Sequence, residues 1–313
     1  FGPVIFMSKP KLVFLGTPDF AVASLAALVQ AGEFSIVGVV TAPDKPAGRG
    51  GQLSQSAVKR YALAQGLPVL QPEKLKDEAF LENLRALGAQ LQVVVAFRML
   101  PEAVWAMPPL GTFNLHASLL PAYRGAAPIH WAVINGEAET GVTTFQLAHE
   151  IDTGGLLLQE RQPIPPEWTT GQLYEALMAR GAPLVVRTAR GLLNGSLRPQ
   201  PQPAPPPGSH APKLTTENTG IGWAQPAEAV RNFIRGLSPS PAAWTDALGP
   251  GRQLRVFYAQ HAPAGAPALP PGALRAWRGH VLAGTATAPL SLTDLQLEGR
   301  KRLAAEAFLP GAG

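Results

Sequence analysis

Residues 11–41 decide the fold and read KLVFLGTPDFAVASLAALVQAGEFSIVGVVT. The apolar run Lys11–Gly16 predicts a buried strand that stops at a glycine, and residues 35–41 predict a second apolar strand. Between them, TPD at 17–19 supplies a hydroxyl cap, a proline for the first helical turn and an acid near the positive end of the helix dipole. This strand, helix and strand predict a parallel sheet covered by helices on both faces.

The same alternation continues through the first two thirds of the chain. Strands at 141–147 and 155–164 alternate polar and apolar residues, which favours antiparallel pairing. We therefore expect an α/β, Rossmann-like domain with a mostly parallel sheet over residues 7–196. Its other predicted elements are strands at 69–70, 91–97 and 112–117 and helices at 54–65, 73–87, just after Pro101, 128–135, and from 169 or 170 to 194–195.

A proline-rich segment, LRPQPQPAPPPGS at 197–209, follows this domain. Proline in such density supports neither a helix nor a ladder, so the segment is expected to be an extended, stiff linker. Beyond it, short strand-like pieces alternate with glycine and proline turns, which predicts a small, OB-like β-barrel over residues 210–313. These pieces lie at 256–259, 273–276, 280–283 and 290–297.

Composition excludes several classes of protein. The chain has no cysteine, so a thiolate nucleophile, a zinc–thiolate site and a disulfide framework are ruled out. No apolar run approaches the roughly 18 residues that cross a bilayer. The opening FGPVIF is too short and too poor in positive charge for a signal peptide, and Met7 is the expected start. We expect a soluble, cytoplasmic protein and a monomer.

The excess of positive charge is concentrated near the C-terminus. The formal net charge is +5, and from Pro206 onward ten basic residues face six acidic ones. Such a surface suits a partner that carries phosphates, although a solvated basic surface would have the same composition.

Residues 112–155 carry the candidate chemistry. Side chains two apart on a strand share a face, so Asn114 and His116 point the same way, towards a pocket beyond the carboxyl ends of the strands. Asp152 is followed by Thr153-Gly154-Gly155, a flexible turn that can bring its carboxylate back to that pocket. An Asn-x-His pair on a strand is also common as a simple polar pair near a surface.

This set of side chains suits acyl transfer to an amine. Asn114 and a protonated His116 can donate to a carbonyl oxygen that gains negative charge, and Asp152 can orient the imidazole and help remove the proton of the amine. An acyl-enzyme route is disfavoured because Ser118 lies in a turn and no GxSxG motif is present.

Several segments resemble methionyl-tRNA formyltransferases, in the expected order along the chain. They are NLHASLLPAYRGAAPI, ETGVTTFQL and IDTG in the core, with FLGTPDFAV, APDKPAGRG and APKLTTENTGIGWAQPAE around it. The resemblance implies 10-formyltetrahydrofolate as donor and the α-amino group of initiator methionyl-tRNA as acceptor, for translation initiation. It implies a Rossmann-like catalytic domain and a smaller barrel that helps hold the tRNA, and it places the family's catalytic Asn, His and Asp on Asn114, His116 and Asp152.

The resemblance also implies binding residues, with some departures from the family pattern. Glycines replace lysines after the arginine of the AGRG loop, the form VVVAFRMLP replaces one with Tyr-Gly, and Gly155 stands where an acid or Asn is frequent. No metal is expected, because no histidine has donors at a metal-ligand spacing. The implied folate residues are Ser118, Leu119, Leu120, Pro121, Phe97 and Arg98, and the implied tRNA residues are Lys45, Arg49 and Lys213.

Three other functions stay open at this point. A formyltransferase acting on a sugar nucleotide is the closest, and the AGRG loop, HASLLP in place of HGSLLP, and the basic C-terminal part argue against it. A dinucleotide-dependent oxidoreductase would need GxGxxG, whereas FLGTPDFA has one glycine at the turn. A non-catalytic folate- or RNA-binding module would require the loss of one of the three polar residues.

Ligand binding separates the oxidoreductase from the formyltransferase. We expect the protein to bind a folate analogue and not NAD, because the first turn lacks the glycines that let a backbone approach a pyrophosphate. Titration calorimetry with each ligand measures this, and NAD binding without folate binding would contradict the expectation.

Overall fold

The computed structural model describes residues 8–47, 52–249 and 251–308. Its contacts divide the chain into two compact units. The first comprises Phe1–Ala122, Gly141–Gln162 and Glu175–Pro206, and the second Tyr123–Thr140, Pro163–Tyr174 and Pro207–Gly313, as far as these ranges are described. The domain boundaries drawn from the sequence, 7–196, 197–209 and 210–313, stay a prediction.

The elements up to Leu193 alternate between strands and helices much as the sequence predicts. The strands at Lys11–Gly16 and Leu91–Val95 are buried and mostly apolar. In chain order they are β1 Lys11–Gly16, α1 Asp19–Ala31, β2 Ser35–Val40, β3 Lys45–Ala47, β4 Gln52–Ser54, α2 Ala57–Ala64, β5 Val69–Leu70, α3 Glu78–Ala86, β6 Leu91–Val95, α4 Glu102–Trp105, β7 Thr112–His116, β8 Arg124–Gly125, α5 Pro128–Ile134, β9 Glu139–Gln146, β10 Leu156–Pro163 and α6 Thr170–Leu193.

Seven of these strands form one sheet in the order β10-β9-β7-β6-β1-β2-β5. Within this sheet, the five strands β7, β6, β1, β2 and β5 are parallel to one another. β9 pairs antiparallel with β7. The predicted Rossmann-like, mostly parallel α/β architecture is therefore confirmed, and so is the antiparallel character expected of residues 141–147.

Helix starts differ from the predicted ones because of capping. The hydroxyl cap predicted at Thr17 is wrong: Pro18 is the N-cap of α1 and no side chain caps the helix. α2 and α3 begin later than predicted, where a side chain can accept a free backbone N–H of the first turn. Ser56 accepts from the Lys59 amide, and Asp77 accepts from the Phe80 amide.

The elements of the C-terminal region form a separate core. Helix α7 buries Val230 and Ile234 against the apolar faces of the strands that follow it. These elements are β11 His210–Ala211, α7 Ala227–Gly236, β12 Ala243–Thr245, β13 Leu254–His261, β14 Leu274–Trp277, β15 His280–Ala283, β16 Leu290–Leu297, β17 Leu303–Ala304 and α8 Ala305–Phe308.

The C-terminal strands pair antiparallel in the order β12-β13-β16-β15-β14, with β17 also paired to β16. Among the described residues no ladder joins β12 to β14. The structure therefore shows an antiparallel sheet of short strands and does not show the closed barrel that the sequence led us to expect.

Truncation of Leu15 tests the core of the first unit. Leu15 is fully buried within one apolar cluster with Val13 and Val94. Leu15→Ala should lower the free energy of unfolding by about 2–5 kcal/mol, because it removes buried methyl groups and leaves a cavity. Urea denaturation followed by circular dichroism measures the change. The same substitution at Leu63, which is 52% exposed, is the control and should change stability by less than about 1 kcal/mol.

Candidate active site

Asn114 and His116 lie on β7, between a parallel and an antiparallel neighbour. Asn114 is in register with Val94 of β6 and with Phe145 of β9, and His116 is in register with Thr143 of β9. The two side chains share one face of the strand, as their spacing predicts. The imidazole of His116 is buried and stands edge-on to the Phe145 ring, with 6.4 Å between the ring centroids.

The structure brings the carboxylate of Asp152 to this histidine. The distance from His116 Nδ1 to Asp152 Oδ2 is 3.9 Å, and the two side chains are only 7% and 12% exposed. This is an ion-pair distance, longer than a direct hydrogen bond. Catalytic contacts are often long in a protein without its substrates, so the geometry suits a pair that closes around a ligand.

The loop that carries Asp152 reaches the histidine by a route that the sequence does not predict. Because β9 runs antiparallel to β7, it ends with Gln146 opposite Phe113, at the amino end of β7. The backbone N–H of Gln146 donates to the Gly155 carbonyl at 2.9 Å. This hydrogen bond closes the base of the loop. Residues 147–154 must then fold back along β7 for Asp152 to reach His116, so the carboxylate does not approach simply from beyond the carboxyl ends of the strands.

The backbone of this loop leaves few alternatives. Asp152 has φ of 55°, a left-handed conformation that costs a residue with a Cβ about 1–2 kcal/mol. A Cβ at Gly154 would lie 1.6 Å from the Gln146 carbonyl oxygen, so only glycine fits. A Cβ at Gly155 would lie 2.6 Å from Cβ of Pro199, so the absence of a side chain at 155 is matched by the proline that packs there.

Asn114 contributes an uncommitted polar atom to the site. Its Oδ1 is buried and has no hydrogen-bond partner among the described residues. Leaving a buried polar atom unpaired costs about 1–3 kcal/mol, so native structures seldom do so without a functional reason. That oxygen is therefore available to accept a hydrogen bond from a ligand that binds beside His116.

The turn after β7 is fixed by two side chains that nothing in the sequence singles out. Thr143 Oγ1 accepts from the Leu120 amide at 3.1 Å and donates to the Ser118 carbonyl at 2.7 Å. Gln159 Nε2 donates to the Leu120 carbonyl at 2.8 Å and to Thr143 Oγ1 at 2.9 Å. The only signal for Thr143 is its place in an alternating strand, two residues from Phe145.

The predicted folate residues of this turn differ in what they can offer a ligand. The Ser118 hydroxyl is fully buried and donates to the Ala122 carbonyl at 2.6 Å, so its proton is committed. Leu120 is buried, whereas Leu119 and Pro121 are partly exposed. The turn therefore offers apolar surface and backbone groups to a ligand, and no free hydroxyl donor.

Phe97 and Arg98 follow β6, the strand next to β7. Arg98 Nη1 donates to the Glu73 carbonyl at 2.8 Å, and Nη2 donates to the Pro72 carbonyl. Its guanidinium carbon lies 5.7 Å from the centre of the half-buried Phe97 ring. Arg98 thus ties the end of β6 to the segment after β5, and any folate contact would add to those bonds.

The three predicted tRNA residues are far apart in the chain, and two of them lie among the described residues. Lys45 is exposed on β3, which pairs with β4 in a short hairpin. Arg49 lies outside the described residues. Lys213 is exposed in the second unit, and its carbonyl accepts from Asn218 Nδ2 at 3.0 Å.

Among the described residues, no group of three His, Asp or Glu side chains is arranged to hold a metal ion. No helix within the described ranges combines the length and apolar character needed to cross a bilayer.

Comparisons with known sequences cover nearly the whole chain. Residues 10–188 match the sequence model described as Formyl transferase, and residues 213–313 match Formyl transferase, C-terminal domain. A methionyl-tRNA formyltransferase of Parabacteroides distasonis is 52% identical over 310 residues, covering 96% of this chain and 95% of that protein. One of Bacteroides fragilis is 47% identical, covering 96% and 94%.

Solved structures share the fold at much lower identity. HypX from Aquifex aeolicus in complex with tetrahydrofolic acid superposes with a TM-score of 0.67 at 18% identity, covering 97% of this chain and 48% of that chain. An N-formyltransferase from Helicobacter canadensis, in complex with folinic acid and dTDP-3-aminofucose, gives a TM-score of 0.66 at 18% identity, covering 90% and 98%.

Removal of the Thr143 hydroxyl tests how the turn is held. Thr143→Val should leave the Leu120 amide without its acceptor and lower the free energy of unfolding by about 1–3 kcal/mol. Hydrogen exchange at the Leu120 amide should accelerate with it. Thr153→Val is the control, because the Thr153 hydroxyl donates only to the carbonyl of Glu150 within its own loop. Unchanged protection of Leu120 in Thr143→Val would refute the assigned role.

Proposed function

The chain belongs to the methionyl-tRNA formyltransferase family, and on that premise we propose that Asn114, His116 and Asp152 form its catalytic centre. The protein transfers a formyl group from 10-formyltetrahydrofolate to the α-amino group of methionyl initiator tRNA. It is an enzyme of one-carbon transfer that serves the initiation of translation.

One observation carries the assignment of the centre. A buried imidazole and a mostly buried carboxylate lie 3.9 Å apart, and on the strand of the imidazole the Asn114 amide oxygen has no partner among the described residues. Buried polar groups that serve only the fold are satisfied by the fold. Here the unsatisfied amide shares a face with the histidine, which is the arrangement that a small polar reactant would complete.

The reaction needs a place for negative charge on the formyl oxygen. As the amine attacks, its nitrogen bonds to the formyl carbon, the bond from that carbon to the donor nitrogen breaks, and charge builds on the formyl oxygen. Asn114 Nδ2 and an N–H of the His116 ring donate to that oxygen. A donor held in this way lowers the barrier by about 3 kcal/mol, because it is already oriented when the charge appears.

The reaction also moves protons. The attacking amine must lose one, and the departing nitrogen of the donor must gain one. The Asp152 carboxylate stands against His116 Nδ1, so it fixes the orientation of the ring and is the nearest base for the proton of the amine. We assign the proton of the amine to this pair of side chains, which lie 3.9 Å apart.

The folate donor is proposed to lie against the turn after β7 and the end of β6. Leu119 and Pro121 offer apolar surface, and Ser118 and Leu120 support the turn from inside. Phe97 and Arg98 extend this surface along the neighbouring strand. The hydrogen bonds of Thr143 and Gln159 keep the turn in one conformation before the donor arrives, which limits the entropy lost on binding.

The tRNA is proposed to contact Lys45 on β3, Arg49, and Lys213 of the second unit. The entry to the hairpin is anchored: Lys59 Nζ donates to Asp44 Oδ2 at 2.6 Å, and Gln71 Nε2 donates to Asp44 Oδ1 at 2.8 Å. The hydrogen bond from Lys59, with the one from Gln71, lowers the pKa of Asp44 and keeps the anchor charged. An exposed cation such as Lys45 on an anchored hairpin suits RNA phosphates.

Finer features complete the proposal. We also propose that the C-terminal region forms an OB-like barrel and that the two domains cover residues 7–196 and 210–313. A cytoplasmic location and a monomeric state are proposed as well, because they suit an enzyme that acts on free charged tRNA. Ten basic residues against six acidic ones from Pro206 onward favour a role for this region in holding RNA.

Substitution of the three central residues tests the proposal. Asn114→Ala should lower turnover by roughly 10²–10³-fold with the fold intact, because it removes a donor to the charged oxygen. The substitutions His116→Ala and Asp152→Ala should each lower turnover by a comparable factor or more. Initial rates of formylation of charged initiator tRNA measure turnover, and circular dichroism checks folding. Asn194→Ala, at an exposed turn of the same unit, is the matched control and should retain full activity.

The identity of the acceptor is tested in the same assay. The wild-type protein should formylate methionyl initiator tRNA and leave a sugar nucleotide that carries a free amine unmodified. Absence of formylmethionyl-tRNA in the wild-type reaction would contradict the assigned activity, and a folded Asn114→Ala protein with full turnover would contradict the assigned centre.

A further inference from the structure

The proline-rich segment 197–209 is joined to the loop that carries Asp152. Gln200 and Leu156 exchange two backbone hydrogen bonds, at 2.7 and 2.8 Å, so the first part of the segment pairs with the start of β10. Pro199 packs over Gly155. The segment is therefore more than an extended spacer, because part of it continues the edge of the sheet beside the site.

Gln202 makes the most specific contact of this segment. Its Nε2 donates to the Asp152 carbonyl at 2.9 Å and to the Gly154 carbonyl at 2.6 Å. An amide nitrogen has two protons, and here each is directed to one carbonyl. The opposite assignment of the amide would set its oxygen against two carbonyl oxygens, so the nitrogen must face the loop.

We propose that Gln202 is a positioning residue of the formyl transfer, which holds the Asp152 loop in the conformation that presents the carboxylate to His116. This inference rests on the proposed function. The bridge between this segment and β10 is made by the backbone of Gln200. The Gln202 side chain holds the carbonyls on both sides of Thr153, within the turn that contains the left-handed Asp152.

The loop needs such a clamp at this point. Its base is closed by Gln146 and Gly155, and Thr153 bonds only to the nearby carbonyl of Glu150. His149 contacts Glu102 at 3.4 Å, but both side chains are mostly exposed. The half-buried Gln202 therefore holds the Asp152 and Gly154 carbonyls from outside the loop.

Two substitutions separate the donor from the shape of the side chain. Gln202→Met keeps the length and removes both donors, and Gln202→Glu keeps the shape and sets carboxylate oxygens against the two carbonyls. Each should lower turnover on charged initiator tRNA by about tenfold to a hundredfold, the usual loss when a reacting group is displaced by about 1 Å. The KM for charged tRNA should stay within about twofold of the wild-type value, because Gln202 acts on the reacting group and not on binding.

Gln200→Met is the matched control. It makes the same change two residues away in the same segment, where the side chain is exposed and donates only to the Arg198 carbonyl, at 3.5 Å. Its turnover should equal that of the wild type. A fall in turnover for Gln200→Met as large as that for Gln202→Met would show that the segment matters only as packing, and would overturn the proposal.

A double-mutant cycle tests whether Gln202 acts through Asp152. In an Asp152→Asn background, Gln202→Met should change the residual single-turnover rate by less than about threefold, because the carboxylate it positions is gone. The same loss in both backgrounds would overturn the proposal, as would wild-type turnover in folded Gln202→Met and Gln202→Glu. Unfolding of both variants would also overturn it, since Gln202 would then be a residue of stability. Failure of the wild type to formylate tRNA would instead contradict the proposed function.

Discussion

The antiparallel pairing of β9 with β7 is the constraint on which the site depends. In a wholly parallel sheet the loop after β9 would start at the same edge as the turn after β7. Here it starts at the opposite end, beside Phe113, and must return along β7 to bring Asp152 within 3.9 Å of His116. The strained Asp152 backbone and the obligatory glycine at 154 follow from that path, because a short loop that reverses along a strand has few allowed conformations.

The site is also defined by which polar groups are committed. Around the turn after β7, Thr143 and Gln159 make hydrogen bonds to the backbone groups of Ser118 and Leu120. These bonds hold the turn in one conformation. Asn114, on the adjacent strand face, keeps a buried oxygen without a partner. The hydrogen-bonded turn thus lies beside an amide oxygen that has no partner. Such a site is organised before the reactant binds, because binding then requires little rearrangement of the protein.

Much of the fold could be predicted from the sequence, for identifiable reasons. The bounds of β1 and β5 follow from apolar runs limited by glycine or proline, and the shared face of Asn114 and His116 follows from strand alternation. Helices α2 and α3 begin later than predicted, directly after their observed caps Ser56 and Asp77. The structure does not show the closed barrel predicted for the described C-terminal residues. Turn spacing identifies the strands of such a domain, but it does not indicate whether the first and last strands pair.

The contacts that cross the chain could not be predicted. Proline content predicts the stiffness of residues 197–209 but not that Gln200 pairs with Leu156 or that Gln202 reaches the Asp152 loop. The flexible turn after Asp152 indicated that its carboxylate can reach the pocket of His116, and the family resemblance supported this, but no local pattern specifies a return along β7. The most direct test of that convergence is a crystal structure with a stable formylated folate analogue. The formyl oxygen should lie about 3 Å from both the Asn114 amide and the His116 imidazole, and a formyl group beyond hydrogen-bond reach of both would contradict the account.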